Sequence, residues 1–573
     1  MTEHDILPPP QSPWGTMPRR GWLALACTVL AAAVRVCFVD DGLWIDEVQS
    51  VDTAHKSWSS LLMTCGLADV HPPLYYLLLK VWSVFGDGDS AARALSLVLG
   101  SGTVGLFAWW VSGRFRLADV LLGTGFLLLS TFHIHYSVEI RGYALFTFLC
   151  LSLIVALEGW SERGRDRFPL AVVVLEVLVF LTHYYAVFVL LAVNLFVFCS
   201  STLTRAQMRR WVMSQVAVVV AISAWLPFTL VQMLDLPSGF TAHLAEGPPW
   251  DAILAAFGPS AAMSPGWLGA TLGIVVVALA LMGIFSRRTC VADGPEQADE
   301  GAAHPRGMMV VMGLAAIVLP LVPLLLPLSE TTFDILVARV PWAYGVVIVA
   351  TCGLWALYGC QPARWAILRW PLVAWVVGAS VLLIALSQLQ RSTLSLRNVL
   401  FLLPLVAYGL TKTVNRWPKW PVIAAAVLVA SFSVASLDDG ASRFESRADF
   451  RGLMTTLGAQ TPVTVLMASK FDLGAMDHYA RPDCRRAEEF LLECPAPSGR
   501  GAGLRVIGVD DVVAASKRLS AKHLIVLSRI HFRERDAVLA RLRQVHPRAE
   551  VMPVLPGRRG LQMLEVNPSR PHQ

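Results

Sequence analysis

Along most of the chain the apolar residues do not alternate with polar ones. They run on, as in GWLALACTVLAAAVRVCF, TLGIVVVALALMGIF and PVIAAAVLVASFSVA. A run of roughly 18–20 apolar residues crosses the hydrocarbon core of a bilayer as a helix. Only helices and closed barrels satisfy their backbone in lipid, and barrel strands alternate where these runs do not. The pattern predicts an all-α polytopic membrane unit of about 13 helices. The expected spans are 21–39, 91–112, 118–136, 143–159, 168–182, 184–200, 211–231, 266–285, 308–328, 341–359, 371–388, 398–412 and 420–436.

After about residue 437 the pattern changes. The apolar runs shorten to strand length at Val463–Met467, Leu504–Gly508, His523–Ser528, Val551–Leu555 and Leu561–Val566. Helix-like stretches sit between them at Asp511–Leu519 and Arg533–Val545. That alternation predicts a small α/β domain. Three regions follow: a polar leader over 1–20, a membrane unit over 21–436 and an α/β unit over 437–573.

Composition agrees with the periodicity: 55% of the residues are hydrophobic and 15% charged, against about 25% charged in a soluble domain. The basic residues cluster in every second loop, at Arg19–Arg20, Arg114–Arg116, Arg163–Arg167, Arg205–Arg210, Arg287–Arg288, Arg364–Arg369 and Lys412–Lys419. This is the positive-inside pattern, and it puts the N-terminus in the cytoplasm. An odd helix count then puts the C-terminus outside, at the inner membrane of a cell. The basic residues form no single patch, which argues against nucleic-acid binding. No small-residue cleavage site follows the leader, so the first helix reads as uncleaved.

The first outer loop, about 40–90, is acidic (Asp40, Asp41, Asp46, Glu47, Asp52, Asp69), and its apolar stretch Leu74–Phe85 reads as a helix lying on the bilayer. Four short motifs fall at this face: Trp44-Ile45-Asp46-Glu47, Asp69-Val70-His71-Pro72-Pro73-Leu74, Glu139-Ile140-Arg141-Gly142-Tyr143 and His183-Tyr184-Tyr185. Loop acids are commonly no more than solvated charge. Ionisable groups at membrane depth are costly, however, and mark function. Transfer of a glycosyl group to a hydroxyl needs a carboxylate to take the proton. It also needs cations where charge grows on a departing phosphate. Arg391 and Arg397, ahead of the run at 398–412, are further phosphate candidates or a charged loop end.

WIDE followed by DVHPPL, with a later Arg and Tyr, resembles the opening of the dolichyl-phosphate-mannose protein O-mannosyltransferases. Their bacterial relatives include the aminoarabinose transferases of lipid A and transferases of lipopolysaccharide core, all of the C-type (GT-C) glycosyltransferase superfamily. The motifs of the resemblance cover roughly residues 20–230. It implies a polyprenyl-phosphate sugar donor, an extracytoplasmic glycan, lipid or protein acceptor, and inversion at the anomeric carbon. Asp46 would be the catalytic base or orient the acceptor. Glu47 would support it or help hold a cation, and Asp69 would line the same pocket. His71 and Arg141 would meet the donor phosphate. Tyr143, Glu139, His183 and Tyr185 would complete the pocket, or, for the aromatics, anchor the interface. Asp46, Glu47, Asp69 and His71 also admit a divalent cation, although no spacing demands one.

The sequence departs from that family in three ways. It has no room for an inserted β-trefoil module, it carries His71 where some relatives have a basic residue, and its C-terminal region shows no matching motif. Cys484 and Cys494 would share an oxidising compartment, where they form a disulfide or stay as two thiols. The competing classes are a flippase of lipid-linked sugars and a non-catalytic lipid-binding assembly protein. No internal repeat of the transporter kind is visible, and the ionisable residues collect at one face rather than at the midplane.

Overall fold

The computed structural model describes residues 17–39, 42–163, 166–199, 203–235, 396–416 and 450–458. It also describes segments 463–467, 473–480, 483–488, 491–495, 503–509, 511–519, 523–528, 535–547, 550–553 and 561–566. The expected helices at 266–285, 308–328, 341–359, 371–388 and 420–436, and Arg391, lie outside the described residues.

The helical unit begins with α1 (Met17–Val36), followed by three short helices, α2 (Ile45–His55), α3 (Trp58–Leu67) and α4 (Leu74–Trp82), and a 3-10 turn at Ser83–Phe85. It continues through α5 (Asp89–Ser112), α6 (Leu117–Leu129), α7 (Thr131–Ser137), α8 (Tyr143–Arg163), α9 (Leu170–Phe180), α10 (Ala186–Cys199), α11 (Arg205–Ser223) and α12 (Leu226–Asp235). A 3-10 segment over Leu396–Leu402 leads into α13 (Leu403–Arg416). Among the described residues, Asp89–Ser112 and Tyr143–Ser161 are each long and apolar enough to cross a membrane. α6 with α7, bent by 56°, makes a third such span.

α1 does not reach that standard, because Arg19, Arg20 and Arg35 fall within its 20 residues. Its outer stripe is nonetheless apolar and exposed at Trp22, Leu25, Val29 and Val36, which suits a helix facing lipid. α1 packs along α5 so closely that a Cβ at Gly105 would run into Thr28 and the Ala24 carbonyl. Gly123 plays the same part between α6 and α13, against Thr411 and Ala407. Small residues at such crossings let helix backbones approach in lipid. Polar side chains add ties: the Gln215 amide donates to Glu176, Asn194 donates to Gln215, and the Trp211 indole donates to Asn194, joining α9, α10 and α11.

Three spans expected as single helices are broken, each for a local reason. The 118–136 span bends where the Ser130 hydroxyl caps α7 by accepting the His133 amide (3.3 Å). The 211–231 span restarts at α12, whose second residue, Pro227, has no amide to continue the ladder. The 398–412 span opens as a 3-10 segment and becomes α-helical only with Pro404 in its first turn.

The C-terminal unit is a seven-stranded mixed sheet of order β2-β3-β4-β1-β5-β7-β6. Its strands are β1 (Val463–Met467), β2 (Arg485–Glu488), β3 (Leu491–Cys494), β4 (Leu504–Gly508), β5 (His523–Ser528), β6 (Glu550–Pro553) and β7 (Leu561–Val566). β1 runs parallel to β4 and β5, and the outer pairs are antiparallel. The helices are α14 (Phe450–Gly458), α15 (Leu473–His478), α16 (Val512–Arg518) and α17 (Arg535–Val545). Side chains alternate across the sheet. Leu466, Ile525 and Leu527 pack with Val512, Val513 and Leu542 of α16 and α17. Val465, Met467, Leu524 and Val526 join the large core that extends into the helical unit. α15 is the bridge, touching β3 and β4 on one side and α2 on the other. Cys484 and Cys494 are joined by a disulfide.

Candidate active site

The four motifs converge where α2, α4, α8 and the α9–α10 turn meet. Asp46 and Glu47 open α2, where acids favour the helix N-terminus. Successive helical residues point about 100° apart, and here that angle separates their roles. The Asp46 side chain is 24% exposed and that of Glu47 is fully buried. Pro72 and Pro73 bring the chain into α4, and the Leu74 amide donates to the Leu181 carbonyl (3.0 Å). That bond joins the DVHPPL segment to the turn that carries His183.

Asp46 lies between two guanidiniums. Arg141 Nη2 is 3.3 Å from Oδ1, and Arg397 Nη1 is 3.2 Å from Oδ2. Arg397 is 351 residues away in sequence and sits over the Tyr143 ring at 5.6 Å. Arg141 Nη1 also donates to the Tyr76 hydroxyl (2.9 Å), which donates to Asp69 Oδ2 (2.8 Å). Asp69 Oδ1 accepts the Val70 amide (2.6 Å) and the His71 amide (3.1 Å), and lies 3.0 Å from His71 Nδ1. The chain Asp46–Arg141–Tyr76–Asp69–His71 is therefore continuous. The His71 ring stands 5.8 Å from His183 and 6.5 Å from Tyr143. The Tyr185 amide donates to His183 Nδ1 (3.1 Å), which fixes that ring. Glu139 is buried, its Oε2 3.8 Å from His135 Nε2.

The electrostatics follow. Burial raises the Asp46 carboxyl, but Arg141 and then Arg397 outweigh it and hold the group below the ordinary carboxylate range. Burial likewise raises Asp69, and the His71 contact, Arg141 and Tyr76 reverse it, so Asp69 falls far below that range. His183 is pushed well below its ordinary value by burial, with His71 and Arg397 adding to the effect. Both acids are carboxylates and His183 is a neutral ring at physiological pH. An ionised, partly open carboxylate beside two guanidiniums can take a proton from a hydroxyl while the cations receive an anion.

Glu47 is buried beside the site rather than open to it. Its carboxylate accepts Arg93 Nε at 3.1 Å and Nη2 at 2.5 Å, the Ile140 amide at 3.2 Å and the Trp44 amide at 3.3 Å. Glu47 thus positions α2 against α5 and the Arg141 loop. Among the described residues no group of three His, Cys, Asp or Glu side chains is placed to hold a metal. The carboxylates of Asp46 and Asp69 face guanidiniums or hydrogen-bond donors.

Sequence reasoning missed Arg93 and Tyr76. Arg93 carried a signal, a single charge within an apolar span. Tyr76 carried none, lying in a stretch that reads as an interfacial helix.

No protein-family model matches the chain, and no curated protein matches it. Among solved structures the chain is similar to ArnT from Cupriavidus metallidurans bound to undecaprenyl phosphate, with 14% identity and a TM-score of 0.39 over 95% of this chain and 98% of that one. The apo state of the same protein gives 15% identity and a TM-score of 0.39, with the same coverage. The archaeal oligosaccharyltransferase AglB from Archaeoglobus fulgidus, in complex with an inhibitory peptide and a dolichol-phosphate, gives 9% identity and a TM-score of 0.40 over 91% of this chain and 71% of that one.

Proposed function

We propose that this protein is an integral-membrane glycosyltransferase that moves a sugar from a polyprenyl-phosphate donor to an extracytoplasmic acceptor, with inversion. The observation that carries the reading is the Asp46 carboxylate set between Arg141 and Arg397 and linked through Tyr76 to Asp69 and His71. The acceptor hydroxyl gives its proton to Asp46 as its oxygen attacks the anomeric carbon. The bond from that carbon to the phosphate oxygen breaks, and polyprenyl phosphate leaves with the electron pair. Asp46 loses its negative charge as the phosphate gains one. Arg141 and Arg397 therefore keep a constant charge to neutralise through the step, and little reorganisation is needed. His71, oriented by Asp69, meets the phosphate from the other side, and the His183, Tyr143 and Tyr185 rings wall the sugar site.

In this reading residues 21–436 form the catalytic membrane unit at the inner membrane. The leader over 1–20 is cytoplasmic, and the unit over 437–573 is outside, where the Cys484–Cys494 disulfide is at home.

The test is transfer of label by the purified protein in lipid, supplied with radiolabelled polyprenyl-phosphate sugars and a membrane extract of acceptors. The reading expects label in an acceptor, with the anomeric configuration opposite to that of the donor by NMR. Retention, or no transfer from any donor, counts against it.

A further inference from the structure

Asp46 is placed by the backbone just before α2, and that backbone is held from two directions. From α5, Arg93 donates to the Val39 carbonyl (3.1 Å) and the Gly42 carbonyl (3.0 Å). From the C-terminal unit, the Tyr479 hydroxyl accepts the amide of Leu43, a fully buried residue, at 2.6 Å. Tyr479 in turn donates to Asp89 Oδ2 (2.7 Å), in the first turn of α5. The adjacent His478 lies between two carboxylates. Nδ1 is 3.5 Å from Asp52 of α2, and Nε2 is 3.8 Å from Asp89. Arg451 of α14 closes on Asp89 and lies 5.8 Å from the Tyr479 ring.

The contacts of Tyr479 and His478 thus fall on both flanks of Asp46: on Leu43 three residues before it and on Asp52 six residues after it. We infer that Tyr479 and His478 are positioning residues for Asp46, through which the C-terminal unit sets the catalytic carboxylate of the membrane unit. This rests on the glycosyltransferase reading for what Asp46 does, but not for the docking itself.

The chemistry gives the contact a pH dependence. The groups facing His478 are Asp52, Asp89 with its partner Arg451, and the neighbouring Tyr479. The contacts with the Asp52 and then the Asp89 carboxylate raise His478 to about 9, against the smaller opposing effect of burial. A raised value means that the protonated ring favours the docked state. The stabilisation is complete below the ordinary histidine value and is lost as pH rises through about 9.

The test uses the full chain in lipid nanodiscs, comparing wild type with Tyr479→Phe and His478→Gln. Tyr479→Phe removes one hydroxyl and keeps the ring beside Arg451, so the fold is not at stake. Hydrogen exchange of the peptide over 42–55 is expected to quicken about fivefold in each variant, the worth of one hydrogen bond. Turnover of a radiolabelled polyprenyl-phosphate sugar is expected to lose a similar factor in kcat with little change in donor KM. Wild-type exchange, corrected for its intrinsic rate, should accelerate above about pH 9, and His478→Gln should lack that limb. Exchange over 42–55 that is the same in wild type and Tyr479→Phe overturns the proposal. If exchange responds as expected but wild type transfers no sugar, the docking stands and the glycosyltransferase reading fails.

Discussion

Replacing Glu47 by Gln keeps the shape of the side chain and removes its charge. The consequence is set by burial. The Glu47 and Arg93 side chains are 0% and 1% exposed, so the guanidinium left behind has no water to replace the carboxylate. Breaking a buried pair from one side costs about 3–5 kcal/mol, a large part of the roughly 5–15 kcal/mol that holds a domain together. Arg93→Met should cost a similar amount, because the carboxylate would keep only amide donors. Removing both charges, as Glu47→Leu with Arg93→Met, abolishes the unpaired ion. What remains lost are the bonds from Arg93 to Val39 and Gly42 and those from the Ile140 and Trp44 amides to Glu47, worth about 1 kcal/mol each. The double variant should therefore cost about 4 kcal/mol, well short of the roughly 6–10 kcal/mol that the two single changes sum to. Reversible unfolding in mixed micelles, run as a double-mutant cycle, measures all three. Single costs that add to the double within about 0.5 kcal/mol would refute the coupling. Wild-type stability with lost turnover in Glu47→Gln would show that Glu47 acts on substrate instead.

Other outcomes follow from the same geometry. Arg141 and Arg397 hold Asp46 below the ordinary carboxylate range, so a base at that position stays ionised through that range and is lost only as pH falls beneath it. In Arg397→Ala the acid limb of the kcat profile should move to higher pH, and a limb that stays in place contradicts the pairing. Tyr76→Phe cuts the link between Arg141 and Asp69 and should lower turnover about fivefold, which steady-state kinetics in nanodiscs would reveal. Cys484 and Cys494 should resist alkylation until a reductant is added, and rapid labelling of both without one removes the disulfide from the account.

The sequence was informative where chemistry is local and opaque where it is not. Asp46, Asp69, His71 and Arg141 were legible because each lies in a short motif at one end of an apolar span. Arg397 was legible only as one of two options, since nothing in the chain says that it travels to Asp46. At Asp46 and Glu47 the sequence shows two neighbouring acids alike, and helical geometry turns one to the cavity and the other into the core. The apolar runs located the long helices but not their breaks, which depend on Ser130, Pro227 and Pro404 capping or interrupting a ladder. The strands β1, β4, β5 and β7 were visible as short apolar runs, whereas β2, reading RRAE, had no apolar face to reveal it. The contact of His478 and Tyr479 with α2 and α5 had no signal, because it depends on how two units of the chain meet.

The central claim is that Asp46 takes the acceptor's proton while Arg141 and Arg397 receive the phosphate. The most direct test compares donor binding with turnover in wild type and Asp46→Asn. Removing the carboxylate frees both guanidiniums, so the variant should bind the polyprenyl-phosphate sugar at least as tightly as wild type. It should transfer that sugar at least about 100-fold more slowly, the usual range for a lost general base. Turnover in Asp46→Asn at the wild-type rate, with donor binding intact, would contradict the account.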